Sequence, residues 1–128
     1  MRKVGDVVGV GFIKDSCKNC RLCWSGKEEL CKNVKNPLTV FPDLGGFGTH
    51  IQVPADWTFP IPKNIPLAEA APLFFAGSTA FNAVSKEYER LKLIHNRKLN
   101  LCVLGLGEVG HLVVKFANHF GFEVTVFS

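Results

Sequence analysis

Four of the five cysteines, Cys17, Cys20, Cys23 and Cys31, fall in one short window with the spacing C-x2-C-x2-C-x7-C. Clustered thiols without a secretion-type leader point to metal rather than disulfides, because the cytosol keeps thiols reduced and cysteines this close in sequence pair poorly. Four thiolates suit tetrahedral Zn(II), and with all four positions filled by protein such a site is structural. The competing pattern is the ferredoxin run C-x2-C-x2-C-x3-C followed by proline. Here the last gap is seven residues and Lys32 follows, so an iron–sulfur cluster stands behind zinc, with uncoordinated thiols as the remaining reading. Lys14, Lys18, Arg21, Lys27, Lys32 and Lys35 flank the ligands, either as a solvated loop or as countercharge. Cys102 stands apart between Leu101 and Val103 and is expected as a small buried residue of a strand.

The second constellation is Gly105-Leu106-Gly107-Glu108-Val109-Gly110, a G-x-G-x-x-G run. Alone it is weak, but the apolar run Leu99 to Leu104 precedes it and Val109, Leu112, Val113, Phe116, Ala117 and Phe120 follow at helical spacing, which is the context a dinucleotide site requires. Gly105 permits the tight turn, Gly107 lets backbone approach a pyrophosphate, and Gly110 lets the helix pack on the strand. The helix N-terminus then faces the anion. Glu108 places a carboxylate near the expected phosphate, so a glycine turn without ligand stays the alternative. Gly121 sits where a helix end needs a left-handed residue, and Phe122 to Phe127 reads as the second strand of a β-α-β unit. An acid at the end of that strand favours NAD. Ser128 is there instead, and its neutral hydroxyl suits NADP better.

These sites need elements to hold them. Val4 to Phe12 reads as a strand entering the cysteine loop, Asp43 to Gly48 as a turn, and His50 to Val53 as a strand ending at Pro54. Pro60, Pro62 and Pro66 impose an extended connection. Leu67 to Arg90 is Ala-rich and helical, with a break expected at Gly77, and Lys86 to Lys98 reads as a charged helix end plus loop.

Composition bounds the rest. The chain has 128 residues, 47% hydrophobic and 20% charged, as in globular rather than disordered proteins. One ordinary domain is the prior for this length. Fifteen Lys and Arg against eleven Asp and Glu leave +4, too mild and too evenly spread for a nucleic-acid partner on charge alone. No apolar run approaches the roughly 20 residues that span a bilayer, and Met1 to Asp6 has no hydrophobic segment behind its charges. A cytoplasmic protein with neither nucleic-acid nor membrane partner is expected. The four histidines, His50, His95, His111 and His119, show no paired ligand spacing.

Taken together, these residues carry a likeness: the chain resembles the zinc-dependent medium-chain alcohol dehydrogenases, cinnamyl alcohol dehydrogenase type. The matching segments are Gly5-Asp6 with Val8 to Phe12, the four-cysteine loop, Gly45-Gly46-Phe47, Val53 to Asp56, Ala70 to Leu73, Ala76-Gly77 with Thr79, and Gly105 to His111. The resemblance implies a mixed α/β chain: a partial GroES-like β-barrel segment with a structural zinc loop over residues 1–72, a helical bridge over 73–98, and the first β-α-β unit of a Rossmann fold over 99–128. It implies that Cys17, Cys20, Cys23 and Cys31 bind the structural zinc. It also implies that Thr79, Gly105, Leu106, Gly107, Glu108, Val109 and Gly110 line the NADP site, with Ser128 beginning the 2′-phosphate contact.

The reaction implied is reversible NADP(H)-linked hydride transfer between alcohol and aldehyde, in a homodimer or in a pairing with a homologous subunit. The family's second, catalytic zinc polarises the carbonyl oxygen. Its last protein ligand is a Cys at the position where this chain has Phe75 in Pro72 to Gly77, and its other ligands match nothing here. No catalytic residue is therefore assigned. The expectation is a truncated chain with impaired or absent catalysis; the alternative is a non-catalytic zinc-binding oligomerisation or interaction module. The stretch from Ser85 to Asn100 is also longer and more charged than the family's usual connection.

Overall fold

The structure, a computed structural model, describes residues 2–34, 46–94 and 98–128. The chain forms two compact units, Met1–Phe74 and Phe75–Ser128. Lys35, Gly45 and His95, and the part of the expected turn before residue 46, lie outside the described residues.

In the first unit, strand β1 (Val8–Val10) pairs antiparallel with β2 (Thr58–Pro60), in register Val8↔Pro60, Gly9↔Phe59 and Val10↔Thr58. The strand expected over Val4 to Phe12 is thus shorter. Its first residues turn instead, with Gly5 at φ 95°, the Asp6 N–H donating to the Lys3 carbonyl at 3.1 Å and the Lys3 N–H to Asp6 Oδ2 at 2.8 Å. The strand expected at His50 to Val53 is not formed. That stretch is irregular, and Pro54 leads into a short 3-10 helix, Ala55–Trp57. The strand comes instead at Thr58–Pro60, after that helix, where it pairs with β1, and Pro60, which has no N–H to give, closes it at its end. Gly9 is buried against the ring of Phe74, where a β-carbon would collide with the phenyl group. Among the described residues this unit holds a two-stranded pair and no closed sheet, so the expected barrel is not seen there.

Helix α1 (Arg21–Trp24) and a 3-10 turn (Glu28–Leu30) shape the cysteine loop. Helix α2 (Leu67–Ala70) gives way to a 3-10 turn over Ala71–Phe74, since Pro72 lacks the N–H that would continue an α-helix.

In the second unit, α3 runs from Ala76 to Lys92. The break expected at Gly77 falls instead at Phe75, whose backbone (φ −122°, ψ −73°) is non-helical. Gly77 lies inside α3 and is buried with Ala76, Ala80 and Val84, the small residues of one face. Strands β3 (Asn100–Leu104) and β4 (Glu123–Phe127) pair parallel, in register from Asn100↔Glu123 to Leu104↔Phe127, with helix α4 (Glu108–His119) between them in sequence. The crossover helix is what lets neighbouring strands run parallel. Val84, Ala117 and Phe122 form the centre of the core, packed with Tyr88, Leu101, Val113, Phe116 and Val124. Gly121 (φ 84°) ends α4: its N–H donates to the Asn118 carbonyl and the Phe122 N–H to the Ala117 carbonyl, each at 3.0 Å. This is the paired closure that a left-handed glycine permits. Cys102 is exposed, contrary to expectation. Alternation along β3 turns Leu101 and Val103 toward the helices and Cys102 to the opposite face. Among the described residues no helix is long and apolar enough to cross a membrane.

Candidate functional site: a thiol cluster and a glycine turn

The cysteine loop brings its four sulfurs together, all within 4.8 Å of one another, so the cluster could hold a metal ion. Cys20 caps the N-terminus of α1 in extended backbone, Cys23 is buried within that helix, and buried Cys31 ends the 3-10 turn. Cys17 Sγ lies 3.9 Å from Cys23 Sγ, and Cys20 Sγ 3.5 Å from Cys23 Sγ. All five cysteines are free thiols.

Donors surround the sulfurs. The Cys17 N–H donates to Cys31 Sγ at 3.4 Å, and Asn33 Nδ2 donates to Cys17 Sγ at 3.4 Å. The Cys17 thiol is drawn down to about 6, first by a backbone hydrogen bond from Asn19 and then by Asn33. That is the direction a metal ligand needs, since the thiolate is the binding form. For Cys20 the Cys23 backbone N–H pulls downward, but burial and the neighbouring sulfurs outweigh it and push the thiol up to about 11. Crowded thiols resist losing every proton together unless a cation compensates the charge. Lys18 turns the loop at φ 54° and pairs with Asp56 Oδ2 at 2.6 Å, tying it to the 55–57 helix. The Asp56 carboxyl is held below its ordinary range, first by that hydrogen bond and then by the lysine charge.

In the second unit the glycine run sits where strand gives way to helix. Gly105 follows β3 with φ 86°, Gly107 is the N-cap of α4, and Glu108 to Gly110 form its first turn. The Gly105 carbonyl oxygen lies so close to Gly110 that a β-carbon there would collide with it. Around Gly107 nothing stands within 4 Å of such an atom. One glycine is closed by packing and the other is open. The Gly105 N–H donates to the Phe127 carbonyl at 2.7 Å, bringing the start of the turn beside the end of β4, where exposed Ser128 follows. A cleft of about 490 Å³ opens here, lined by Gly105, Gly107, Gly110, Leu104, Val109 and Ala83, among others. Exposed Leu106 and Glu108 belong to the same turn.

Thr79 is placed differently from the rest. It lies in the first turn of α3, where its hydroxyl donates to the Phe75 carbonyl at 3.0 Å, and it is not among the residues lining that cleft. His111, to which the spacing of residue types gave no role, donates from Nδ1–H to the Gly107 carbonyl at 2.9 Å, and the same carbonyl takes the His111 backbone N–H at 3.1 Å. Its place four residues after the second glycine was the available signal. Asn33 and Ser16, both beside the thiol cluster, lack any signal beyond nearness in sequence.

Residues 2–63 match the alcohol dehydrogenase GroES-like domain. Aldehyde reductase AdhA of Synechocystis sp. is 35% identical over 126 residues, covering 98% of this chain and 35% of its own length. The structure of the cinnamyl alcohol dehydrogenase SbCAD4 from Sorghum bicolor is similar with a TM-score of 0.73 at 35% identity, over 98% of this chain and 36% of that one. The crystal structure of CAD from Helicobacter pylori, complexed with NADP(H), gives a TM-score of 0.76 at 34% identity, over 99% of this chain and 37% of that one. The chain thus spans little more than a third of the length of the proteins it matches. With its thiol loop and glycine turn in an α/β chain of this kind, it is similar over nearly its whole length to alcohol dehydrogenases of the cinnamyl alcohol dehydrogenase type.

Proposed function

We propose that the chain serves an NADP(H)-linked zinc alcohol dehydrogenase reaction, the reversible transfer of hydride between an alcohol and an aldehyde. The observation that carries this reading is the open Gly107 at the N-terminus of α4, with Gly105 turning left-handed before it and Gly110 packed beneath. Exposed N–H groups at a helix N-terminus, with no side chain in the way, suit a pyrophosphate. Gly105 to Gly110 take the phosphates, Thr79 borders the cofactor, and Ser128 begins the 2′-phosphate contact. The relative crystallised with NADP(H) supports that choice of cofactor. Bound there, the nicotinamide supplies the hydride; the residues of this chain bind and orient it.

In this reading residues 1–72 are the GroES-like segment, 73–98 the bridge and 99–128 the opening unit of a Rossmann fold. Cys17, Cys20, Cys23 and Cys31 hold a structural zinc. Thiolates about 2.3 Å from zinc in a tetrahedron stand about 3.8 Å apart, and the sulfur pairs at 3.5 and 3.9 Å suit that edge. Free thiols in place of disulfides suit the cytoplasm.

A catalytic zinc fits less well. The position matching its last ligand is Phe75, and a phenyl ring offers no lone pair. Among the described residues the cysteine loop is the one group of three or more metal-binding side chains. Hydride transfer by this chain by itself is accordingly weak or absent, and pairing with a second copy or a homologous subunit belongs to the same proposal. Exposed Leu104 and Phe127 at the ends of β3 and β4 favour such a partner.

The test is an NADPH fluorescence titration of the chain and of Gly107→Val. Saturable binding that the valine abolishes is expected. Equal binding by both, or none by either, overturns the cofactor assignment.

A further inference from the structure

We propose that His111 is a positioning residue of the dinucleotide site, pinning the Gly107–Glu108 peptide so that the Glu108 N–H faces out of the end of α4 toward the cofactor's pyrophosphate. This rests on the NADP(H) reading above. The Gly107 carbonyl takes two hydrogen bonds, from the His111 backbone N–H at 3.1 Å and from Nδ1–H of the same residue at 2.9 Å. The first is the ordinary opening bond of an α-helix. The second is additional and engages the oxygen's other lone pair. An oxygen of this kind only accepts, so Nδ1 carries the proton and the neutral ring is the Nδ1–H tautomer.

Gly107 is where such a clamp matters. Its backbone is extended (φ −79°, ψ −160°), and nothing stands within 4 Å of where a β-carbon would be. A glycine without packing around it has wide backbone freedom, so the two bonds from His111 are what set its carbonyl. The peptide that follows is trans and planar, so its N–H, which belongs to Glu108, points opposite to that carbonyl. With the carbonyl turned into the helix toward His111, the Glu108 N–H is turned out of it. Like the N–H groups of Val109 and Gly110, it has no carbonyl within α4 to meet, and such groups are what an anion at a helix N-terminus uses. A donor fixed before the ligand arrives need not be ordered on binding. The His111 side chain is itself exposed, so it owes its place to this bond rather than to the core.

The experiment measures NADPH dissociation constants for the full chain, His111→Phe and His111→Asn by fluorescence titration, each well below its thermal midpoint, together with nitrogen NMR of the neutral His111 ring in the parent. Phenylalanine keeps a ring and has no donor, whereas asparagine places an amide N–H where Nδ1–H stood. His111→Phe should weaken NADPH about 2- to 5-fold, the lower part of what one net hydrogen bond is worth, because the ring is exposed. His111→Asn should recover most of that loss. The neutral parent ring should carry its proton on Nδ1, the reverse of the tautomer that histidine favours in water. Equal affinity in the parent and His111→Phe, or the same loss in both variants, overturns the positioning role, and so does a proton found on Nε2. A parent chain that binds no NADPH overturns the cofactor reading, and this proposal with it.

Discussion

The carbonyl oxygen of Gly105 occupies the space that a β-carbon on residue 110 would need, while the same atom on residue 107 would meet nothing within 4 Å. Two glycines of one motif are thus held for opposite reasons, the first to let α4 close on the turn, the other to leave space above it. Gly110→Ala should cost about 1–3 kcal/mol of stability, as overpacking against backbone does. Gly107→Ala should fold with little change and lose NADPH affinity instead. Paired thermal melts and NADPH titrations of the two variants separate these outcomes.

The first unit has a similar contact between Gly9 of β1 and the Phe74 ring. Gly9→Ala should destabilise this unit by about 1–3 kcal/mol. Phe74→Leu, in the same chain, should recover part of the loss by removing the ring. A double-mutant cycle in urea measures the coupling; strictly additive effects would mean the contact is not the cause.

Replacing Cys20 or Cys31 with serine should release zinc and loosen the loop, because each removes one of four clustered ligands. Metal analysis and limited proteolysis around residues 17–31 provide the readout. Unchanged metal content in both variants would contradict the four-thiolate site.

The Lys18–Asp56 pair ties the cysteine loop to the 55–57 helix, and it lowers the Asp56 carboxyl below its ordinary 3.8. A group lowered on folding stabilises above its unfolded value and ceases to do so as pH falls through the folded one. The tie should therefore persist at neutral pH and fail only below 3.8. NMR titration should place the Asp56 midpoint below that of an unfolded peptide, and Lys18→Gln should return it. Both side chains are exposed, so the effect on overall stability is small.

Local signals were read well where they were sufficient in themselves. The G-x-G-x-x-G turn, the α4 periodicity and Gly121 each state a backbone requirement, and β3, α4 and β4 formed within a residue or two of expectation. The thiol spacing likewise announced its cluster. Failures came where a partner decides the outcome. His50 to Val53 alternates like a strand, yet β1 pairs with Thr58–Pro60 instead. Cys102 sits in an apolar run, but burial depends on which face the helices cover. The α3 break followed Pro72 rather than the more conspicuous Gly77. Asn33 and His111 act through single side-chain hydrogen bonds, which residue type and spacing do not disclose.

The most direct measurement is native mass spectrometry of the full chain, freshly purified and then mixed with NADPH. One zinc and one NADPH per chain are expected, with the zinc lost from Cys20→Ser and the dinucleotide from Gly107→Val. A chain that carries no zinc and binds no NADPH would contradict the reading of both sites.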